Sequence, residues 1–119
     1  GLRNILNYGH TIGHAIETIS DFNIKHGNAV AMGMMKAAEI AKKLDFFDSG
    51  ELIRLKSILE GVGLPTKIPC LDTSKIIQAM KHDKKISGGK VRFVLPKTIG
   101  EVFTIDEVDL SLVEEVLRN

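Results

Sequence analysis

The stretch LRNILNYGHTIGHAIETIS (2–20) decides the fold of this chain, because its apolar residues recur at the spacing of an amphipathic helix. At about 100° per residue, four polar side chains fall within an arc roughly 60° wide: Arg3, Asn7, His10 and His14. The opposite side is apolar and is expected to face the core, with Ile5, Tyr8, Ile12, Ile16 and Ile19. The polar stripe is therefore either a solvent face or the wall of a site.

The residue types of this stripe favour a site. Solvent faces of helices are usually built from Lys and Glu, whereas Asn and His are weaker helix formers. Gly9 and Gly13 lie within the same turns, and a glycine in a helix interior costs up to about 1 kcal/mol relative to alanine. A helix built so far against its own propensity is usually shaped by close packing or by function. Because glycine lacks a Cβ, another backbone or a ligand can approach closely.

Three of the four histidines lie near this helix. His10 and His14 have the i, i+4 spacing that places two zinc ligands on one helical turn. His26 opens the next predicted helix, and a short turn brings it back beside the first. Spacing alone thus allows a metal site of all three histidines, with a helix cap or a core position as the alternative for His26. The fourth, His82, lies in a charged segment and is expected at the surface.

The rest of the chain is predicted to be mainly α. Residues 27–44 are predicted to form a helix that is apolar nearly all round, which is typical of a central buried helix. Capping and terminating residues predict three further helices, at about 48–59, 75–82 and 109–118. Gly61 and Gly63 with Pro65 end the first of these, and residues 72–74 offer a cap for the second. Residues 87–89 mark a loop, and two strand-like runs (91–95 and 102–105) predict a small β-hairpin near residues 91–105.

Composition limits the class of protein. A chain of 119 residues with 44% hydrophobic and 26% charged residues is ordinary for one soluble globular domain. A net charge of +1 argues against nucleic-acid binding, and the longest apolar stretch, 29–35, is too short to span a membrane. A single cysteine, Cys70, favours a reducing, cytoplasmic setting. The abrupt start at Gly1 suggests a fragment of a longer protein.

Residues 3–17, RNILNYGHTIGHAIE, closely resemble the signature helix of the 3-dehydroquinate synthase family. The segment from His26 to Met34 resembles the family's second hallmark, except that Asn28 stands where the family usually has Glu. Further matches follow in the family's order: 63–65, 80–85, 93–96 and 99–100. The resemblance covers essentially the whole chain and corresponds to the family's carboxy-terminal, mainly helical domain. It implies that residues 1–119 form one such domain and that the amino-terminal, Rossmann-like NAD-binding domain is not in this chain.

The resemblance implies roles for the histidines. His10 and His26 match two ligands of a catalytic zinc, for which cobalt can substitute, and the third ligand is a glutamate upstream of this chain. His14 matches a histidine that contacts substrate and assists proton transfer. On this interpretation the isolated chain is one metal ligand short and is expected to bind metal weakly.

The resemblance also implies substrate-binding residues. Arg3 and Asn7 match residues that grip polar groups of the substrate. The Asp-Lys-Lys motif matches one that supplies a catalytic, substrate-binding lysine, which is either Lys84 or Lys85; from the residues alone, this run is more typical of a solvated surface. No NAD-binding residue is expected in this chain.

The implied reaction is the zinc- and NAD-dependent conversion of 3-deoxy-arabino-heptulosonate 7-phosphate to 3-dehydroquinate and phosphate. This is a carbon–oxygen lyase reaction of the shikimate pathway, which leads to chorismate and the aromatic amino acids. The implied partners are this sugar acid phosphate and the protein's own amino-terminal domain. No nucleic acid or membrane is expected as a partner, and a homodimer is possible. The isolated fragment should be inactive. Three alternatives remain: another sugar phosphate cyclase, a related metal-dependent alcohol dehydrogenase, and a non-catalytic helical interaction module.

Overall fold

The computed structural model describes residues 9–21, 23–69, 72–82, 86–98 and 101–118. Over these ranges the elements follow in the order α1 (His10–Ile19), α2 (His26–Lys43), α3 (Ser49–Gly61), α4 (Thr73–His82), β1 (Ile86–Ser87), β2 (Lys90–Thr98), β3 (Glu101–Asp109) and α5 (Leu110–Arg118). The predicted class, mainly α with a small β element, is confirmed.

The central element is α2, as its apolar pattern predicted. Almost every residue from 29 to 41 is buried, and α1, α3, α5 and β2 all pack against it. The helix begins at His26, one residue before the predicted start. It ends where Asp45 adopts a left-handed φ of 64° and the N–H of Phe46 donates to the carbonyl of Ala41 at 2.9 Å. Helix α2 is thus the central element against which α1, α3, α5 and β2 pack.

The first helix begins at His10 among the described residues, and the predicted start at Leu2 lies outside them. Ile12 and Ile16 are almost completely buried and Ile19 is partly buried against the core. The predicted core face of this helix is therefore confirmed over its described part.

Three glycines allow α1 to lie almost backbone to backbone on α2; we call Gly9, Gly13 and Gly33 the glycine seam. A Cβ built on Gly33 would lie 2.1 Å from the carbonyl oxygen of Gly9 and 2.8 Å from the nitrogen of Gly13. A Cβ on Gly9 would lie 2.5 Å from the carbonyl oxygen of Val30. The prediction that Gly9 and Gly13 admit a close neighbour is confirmed, and that neighbour is the backbone of α2.

The ends of α3 and α4 follow local rules. After α3, Gly63 has a φ of +82°. Its N–H donates to the backbone carbonyl of Glu60 at 3.0 Å, and the N–H of Leu64 donates to the backbone carbonyl of Leu59 at 2.9 Å. This is the Schellman arrangement. At the start of α4, Asp72 accepts a hydrogen bond from the N–H of Ser74 at 2.9 Å. This cap sets the start of α4 two residues earlier than predicted.

A buried lysine fastens the last helix to α2. Lys36 is only 5% exposed, and its Nζ donates to the carbonyl of Val116 in α5 at 3.2 Å. The same Nζ lies 3.1 Å from a carboxylate oxygen of Glu39. A buried ammonium requires such partners. Helix α5 begins at Leu110, one residue later than predicted, because Asp109 still pairs with Lys90 in the sheet.

The sheet is larger than the predicted hairpin. It has three antiparallel strands in the order β1-β2-β3, and β2 and β3 pair from Lys90 opposite Asp109 to Thr98 opposite Glu101. The prediction of a loop over 87–89 is wrong at Ser87, which pairs with Lys90 as part of β1. Gly88 and Gly89, with φ of 59° and 76°, form the two-residue turn that such a hairpin favours. Along β2, alternate residues point into the core against α2: Val91, Phe93 and Leu95.

Candidate metal site

Two histidines meet where α1 and α2 begin. His10 is the first residue of α1 and His26 is the first residue of α2, and both side chains are exposed. Their ring centroids are 5.7 Å apart, with the ring planes tilted by 54°. Two imidazoles bound to one tetrahedral zinc at Zn–N distances of about 2.0–2.1 Å would have centroids roughly 5 Å apart. The donor type and the spacing of this pair therefore fit two ligands of a single metal ion.

The pair lies beside an apolar cleft. His10 and His26 line a cavity of about 290 Å³, whose remaining lining is Gly27, Val30, Ala31, Met34, Leu59 and Leu64. The residues from α2 and from α3 and its following turn thus form an apolar wall next to the imidazoles. An apolar wall lowers the polarity on one side of the site, which strengthens electrostatic interactions there relative to bulk water.

Glu17 makes a contact that the sequence analysis missed. Its Oε1 lies 2.7 Å from Nδ1 of His26, and its side chain is only 11% exposed, whereas that of His26 is 64% exposed. A signal for it was present in the helical wheel: Glu17 is seven residues after His10, so it lies about 20° from His10, just beyond the edge of the stripe. What the wheel could not show is that α2 brings His26 to this stripe.

His14 does not join a three-histidine site. It is exposed on α1, one turn after His10. In the part of the chain that the structure describes, no group of three or more His, Cys, Asp or Glu residues is placed to hold a metal ion. Helical spacing determines which residues share a face, but it does not determine which of them a neighbouring helix approaches. The metal candidates are therefore His10 and His26.

Four residues singled out from the sequence lie outside the described residues: Arg3, Asn7, Lys84 and Lys85. Their substrate-binding and catalytic roles stay predictions. His82 ends α4 and is exposed, as predicted. No helix within the described ranges is long and apolar enough to cross a membrane.

Asn28, where the resemblance implies a glutamate, is the third residue of α2 and is partly buried. The first turn of α2 contains no acidic residue, and the preceding Lys25 makes no side-chain capping bond. The first N–H groups of a helix have no partner within it, and they carry partial positive charge. A glutamate at position 28 would complement that charge, whereas Asn28 does not.

A sequence profile of the family described as 3-dehydroquinate synthase C-terminal matches residues 1–86. The chain belongs to this family. It is 48% identical over 120 residues to the 3-dehydroquinate synthase of Nostoc sp., a match that covers 99% of this chain and 33% of that protein. It is 50% identical over 113 residues to the enzyme of the same name from Acetivibrio thermocellus, covering 92% of this chain and 31% of the relative. The chain thus spans about a third of the length of these curated relatives.

Two solved structures of synthases share the fold. A 2-deoxy-scyllo-inosose synthase in complex with carbaglucose-6-phosphate, NAD⁺ and Co²⁺ superposes with a TM-score of 0.86 at 30% identity, covering 94% of this chain and 34% of that one. A 2-epi-5-epi-valiolone synthase from Streptomyces hygroscopicus with bound NAD⁺ and Zn²⁺ superposes with a TM-score of 0.80 at 22% identity. This match covers 94% of this chain and 31% of that one. The predicted helical domain of the dehydroquinate synthase-like fold is confirmed.

Proposed function

We propose that this chain is the metal- and substrate-binding part of a 3-dehydroquinate synthase that converts 3-deoxy-arabino-heptulosonate 7-phosphate to 3-dehydroquinate and phosphate. The observation that carries the proposal is the pairing of His10 and His26, 5.7 Å apart, within the residues that match the family. The relatives of that name are about three times as long. In the proposal, the remaining part of the protein supplies a Rossmann-like NAD-binding domain and a glutamate as third metal ligand.

His10 and His26 would hold a zinc or cobalt ion, and imidazole suits both metals. When bound, the metal would polarise a substrate oxygen and NAD would accept and return a hydride. Because a catalytic zinc generally has three protein ligands, two histidines alone should bind it weakly. The complete protein is therefore the species in which metal affinity should be measured.

The other proposed residues act on the substrate. His14, one turn after His10, would hold and pass a proton, since one imidazole nitrogen can accept a proton while the other donates one. The guanidinium of Arg3 suits a carboxylate or a phosphate because it donates two parallel hydrogen bonds. Asn7 would bind hydroxyl groups, and Lys84 or Lys85 would bind the anionic end of the substrate.

The second candidate function is another cyclase acting on a sugar phosphate. It is favoured by the structural similarity to 2-deoxy-scyllo-inosose synthase, at a TM-score of 0.86. The higher identity to relatives named 3-dehydroquinate synthase, 48–50% against 30%, favours the first candidate. A homodimer and a cytoplasmic location stay predictions.

Phosphate release tests the two candidates directly. In the complete protein that contains this chain, we expect phosphate release from 3-deoxy-arabino-heptulosonate 7-phosphate with NAD, loss of the activity with a chelator, and its return with zinc or cobalt. His10→Ala and His26→Ala should each lower activity and zinc affinity by more than the roughly 10- to 100-fold typical of residues that only support a ligand. His82→Ala, an exposed histidine at the end of α4, is the matched control and should change neither.

Turnover of a hexose 6-phosphate without turnover of the heptulosonate would overturn the first candidate in favour of the second. Unchanged activity and zinc affinity in both His10→Ala and His26→Ala would overturn the metal site and would favour a non-catalytic module.

A further inference from the structure

We infer that Glu17 is a positioning residue for the metal site: its carboxylate fixes the imidazole of His26 so that Nε2 is the nitrogen presented to the metal. The inference rests on the proposed function, since it takes His26 as a metal ligand. It concerns a residue that would not itself touch the metal.

The first support is the difference in burial between the two partners. The side chain of His26 is 64% exposed and that of Glu17 is 11% exposed. An exposed imidazole at the start of a helix has several accessible rotamers, and a buried carboxylate has few. The contact of 2.7 Å between Oε1 and Nδ1 is at the short end of the range for hydrogen bonds that involve an ionised group. The buried partner therefore determines the orientation of the exposed ring.

The second support is the hydrogen-bonding chemistry. An ionised carboxylate can only accept hydrogen bonds, so Nδ1 of His26 must carry the hydrogen that Glu17 receives. In the neutral ring this leaves the lone pair on Nε2. Histidines that bind metals usually donate their other N–H to a carboxylate or a carbonyl in this way, which fixes both the tautomer and the ring orientation.

The third support is the placement of Glu17 in the fold. Glu17 and His10 lie on α1, whereas His26 lies on α2. One helix thus provides a proposed ligand and also the carboxylate that orients the ligand of the other helix. The glycine seam holds the two backbones in contact, so the distance from Glu17 to His26 is fixed by the same packing that sets the distance from His10 to His26.

The geometry also separates Glu17 from the metal ligands themselves. In the described ranges of the chain, His10, His26 and Glu17 do not form a group of three that could hold a metal ion. The carboxylate oxygen bonds Nδ1, which is the nitrogen away from the proposed coordination. Its role would therefore be exerted only through His26.

The test compares Glu17→Ala and Glu17→Gln in the complete protein. Zinc affinity is measured by competition with a chelator, the site geometry by the visible spectrum of the cobalt-substituted protein, and folding by thermal unfolding of the metal-free form. Glu17→Ala should lower zinc affinity about 10- to 100-fold and alter the cobalt spectrum. Glu17→Gln keeps an acceptor oxygen without the charge, so its loss of affinity should be smaller. Glu60→Gln is the matched control: this carboxylate accepts a hydrogen bond from Thr66 at 3.0 Å, and its loss should change neither metal readout.

The outcomes separate the inference from the proposed function. If both Glu17 variants keep the wild-type zinc affinity and cobalt spectrum while His26→Ala loses metal, the inference is wrong and Glu17 only stabilises the fold. If His26→Ala keeps its metal, the proposed metal site itself is wrong. If Glu17→Ala does not fold, Glu17→Gln decides, because it preserves the shape of the side chain.

Discussion

The glycine seam between α1 and α2 and the Gly88–Gly89 turn of the sheet both require glycine, but for different physical reasons. In the seam, a Cβ on Gly33 would lie 2.1 Å from a backbone oxygen, although the residue has ordinary helical conformation. In the turn, a Cβ on either glycine would meet nothing within 4 Å, but both have positive φ. The seam lacks space and the turn demands a particular backbone conformation. Substitutions in the seam should therefore disturb the histidines, and substitutions in the turn should act only locally.

The largest effect is expected for Gly33→Ala. The added methyl group would overlap the backbone of α1, which cannot move aside as a flexible side chain can, and the free energy of unfolding should fall by about 3 kcal/mol or more. Because the two helices must then separate, the zinc affinity of the complete protein should fall as well. Denaturant unfolding and competition with a chelator measure the two effects.

The matched control for Gly33→Ala is Gly61→Ala at the end of α3, where a Cβ would meet nothing within 4 Å. Its stability should be unchanged or higher by up to about 1 kcal/mol, the difference in helix propensity. Equal losses in both variants would show that glycine flexibility, and not close packing, explains the seam.

A smaller effect is expected for Gly88→Ala. Its φ of 59° is unfavourable for a residue with a Cβ, so the free energy of unfolding should fall by roughly 1–2 kcal/mol. Gly88→Asn should lose less, because asparagine tolerates this conformation. Neither variant should change zinc affinity, and a loss as large as that of Gly33→Ala would contradict the distinction between the two regions.

A gain in stability is expected for Asn28→Glu, in the first turn of α2. The first turn of α2 lacks an acidic residue, and a negative charge at a helix start is worth about 0.3–1 kcal/mol. Asn28→Gln supplies a similar shape without the charge and should give none of this gain. Thermal unfolding of both variants at low and high salt measures the difference, which should shrink as salt screens the charge. A gain that is equal in both variants would exclude the electrostatic explanation.

The smallest effect concerns the sheet and appears only as a pH dependence. The hydrogen bond that Lys90 donates to Asp109, with the attraction of that carboxylate and of Glu107, raises the pKa of Lys90. A raised folded-state pKa gives stability that is present below the unfolded-state pKa and is lost as pH rises through the folded-state value. The difference in unfolding free energy between wild type and Lys90→Gln should therefore stay constant from about pH 6 to pH 9 and shrink only in strongly alkaline solution. A slope near neutral pH would contradict this assignment.

Local sequence patterns predicted the helices well, since hydrophobic periodicity and capping involve only residues that are close together in the sequence. The all-round apolar pattern of 27–44 predicted the central helix, and Asp72 and Gly63 marked real helix boundaries. The sheet was predicted too short because its extent depends on pairing between distant residues. Asp109 belongs to β3 through its pairing with Lys90, and Ser87 belongs to β1 for the same reason.

The same distinction applies to the candidate site. The helical wheel placed His10 and His14 on one stripe, and the chain order placed His26 at the start of the next helix. The approach of α1 to α2 determines which histidine contacts His26. It also determines that Glu17 reaches His26. Gly9 and Gly13 predicted that something approaches α1 closely, but they did not identify the neighbour, which is the backbone of α2 at Gly33.

The backbone contact at the glycine seam also has a consequence for protein engineering. Between most packed helices, side chains of graded size allow the separation to be tuned by substitution, one methylene at a time. Here no side chain lies between Gly33 and Gly9, so that graded adjustment does not exist. A designer who wants the proposed metal site to select a different metal would therefore have to exchange the donor atoms at positions 10 and 26, because the separation of α1 and α2 cannot be adjusted in small steps.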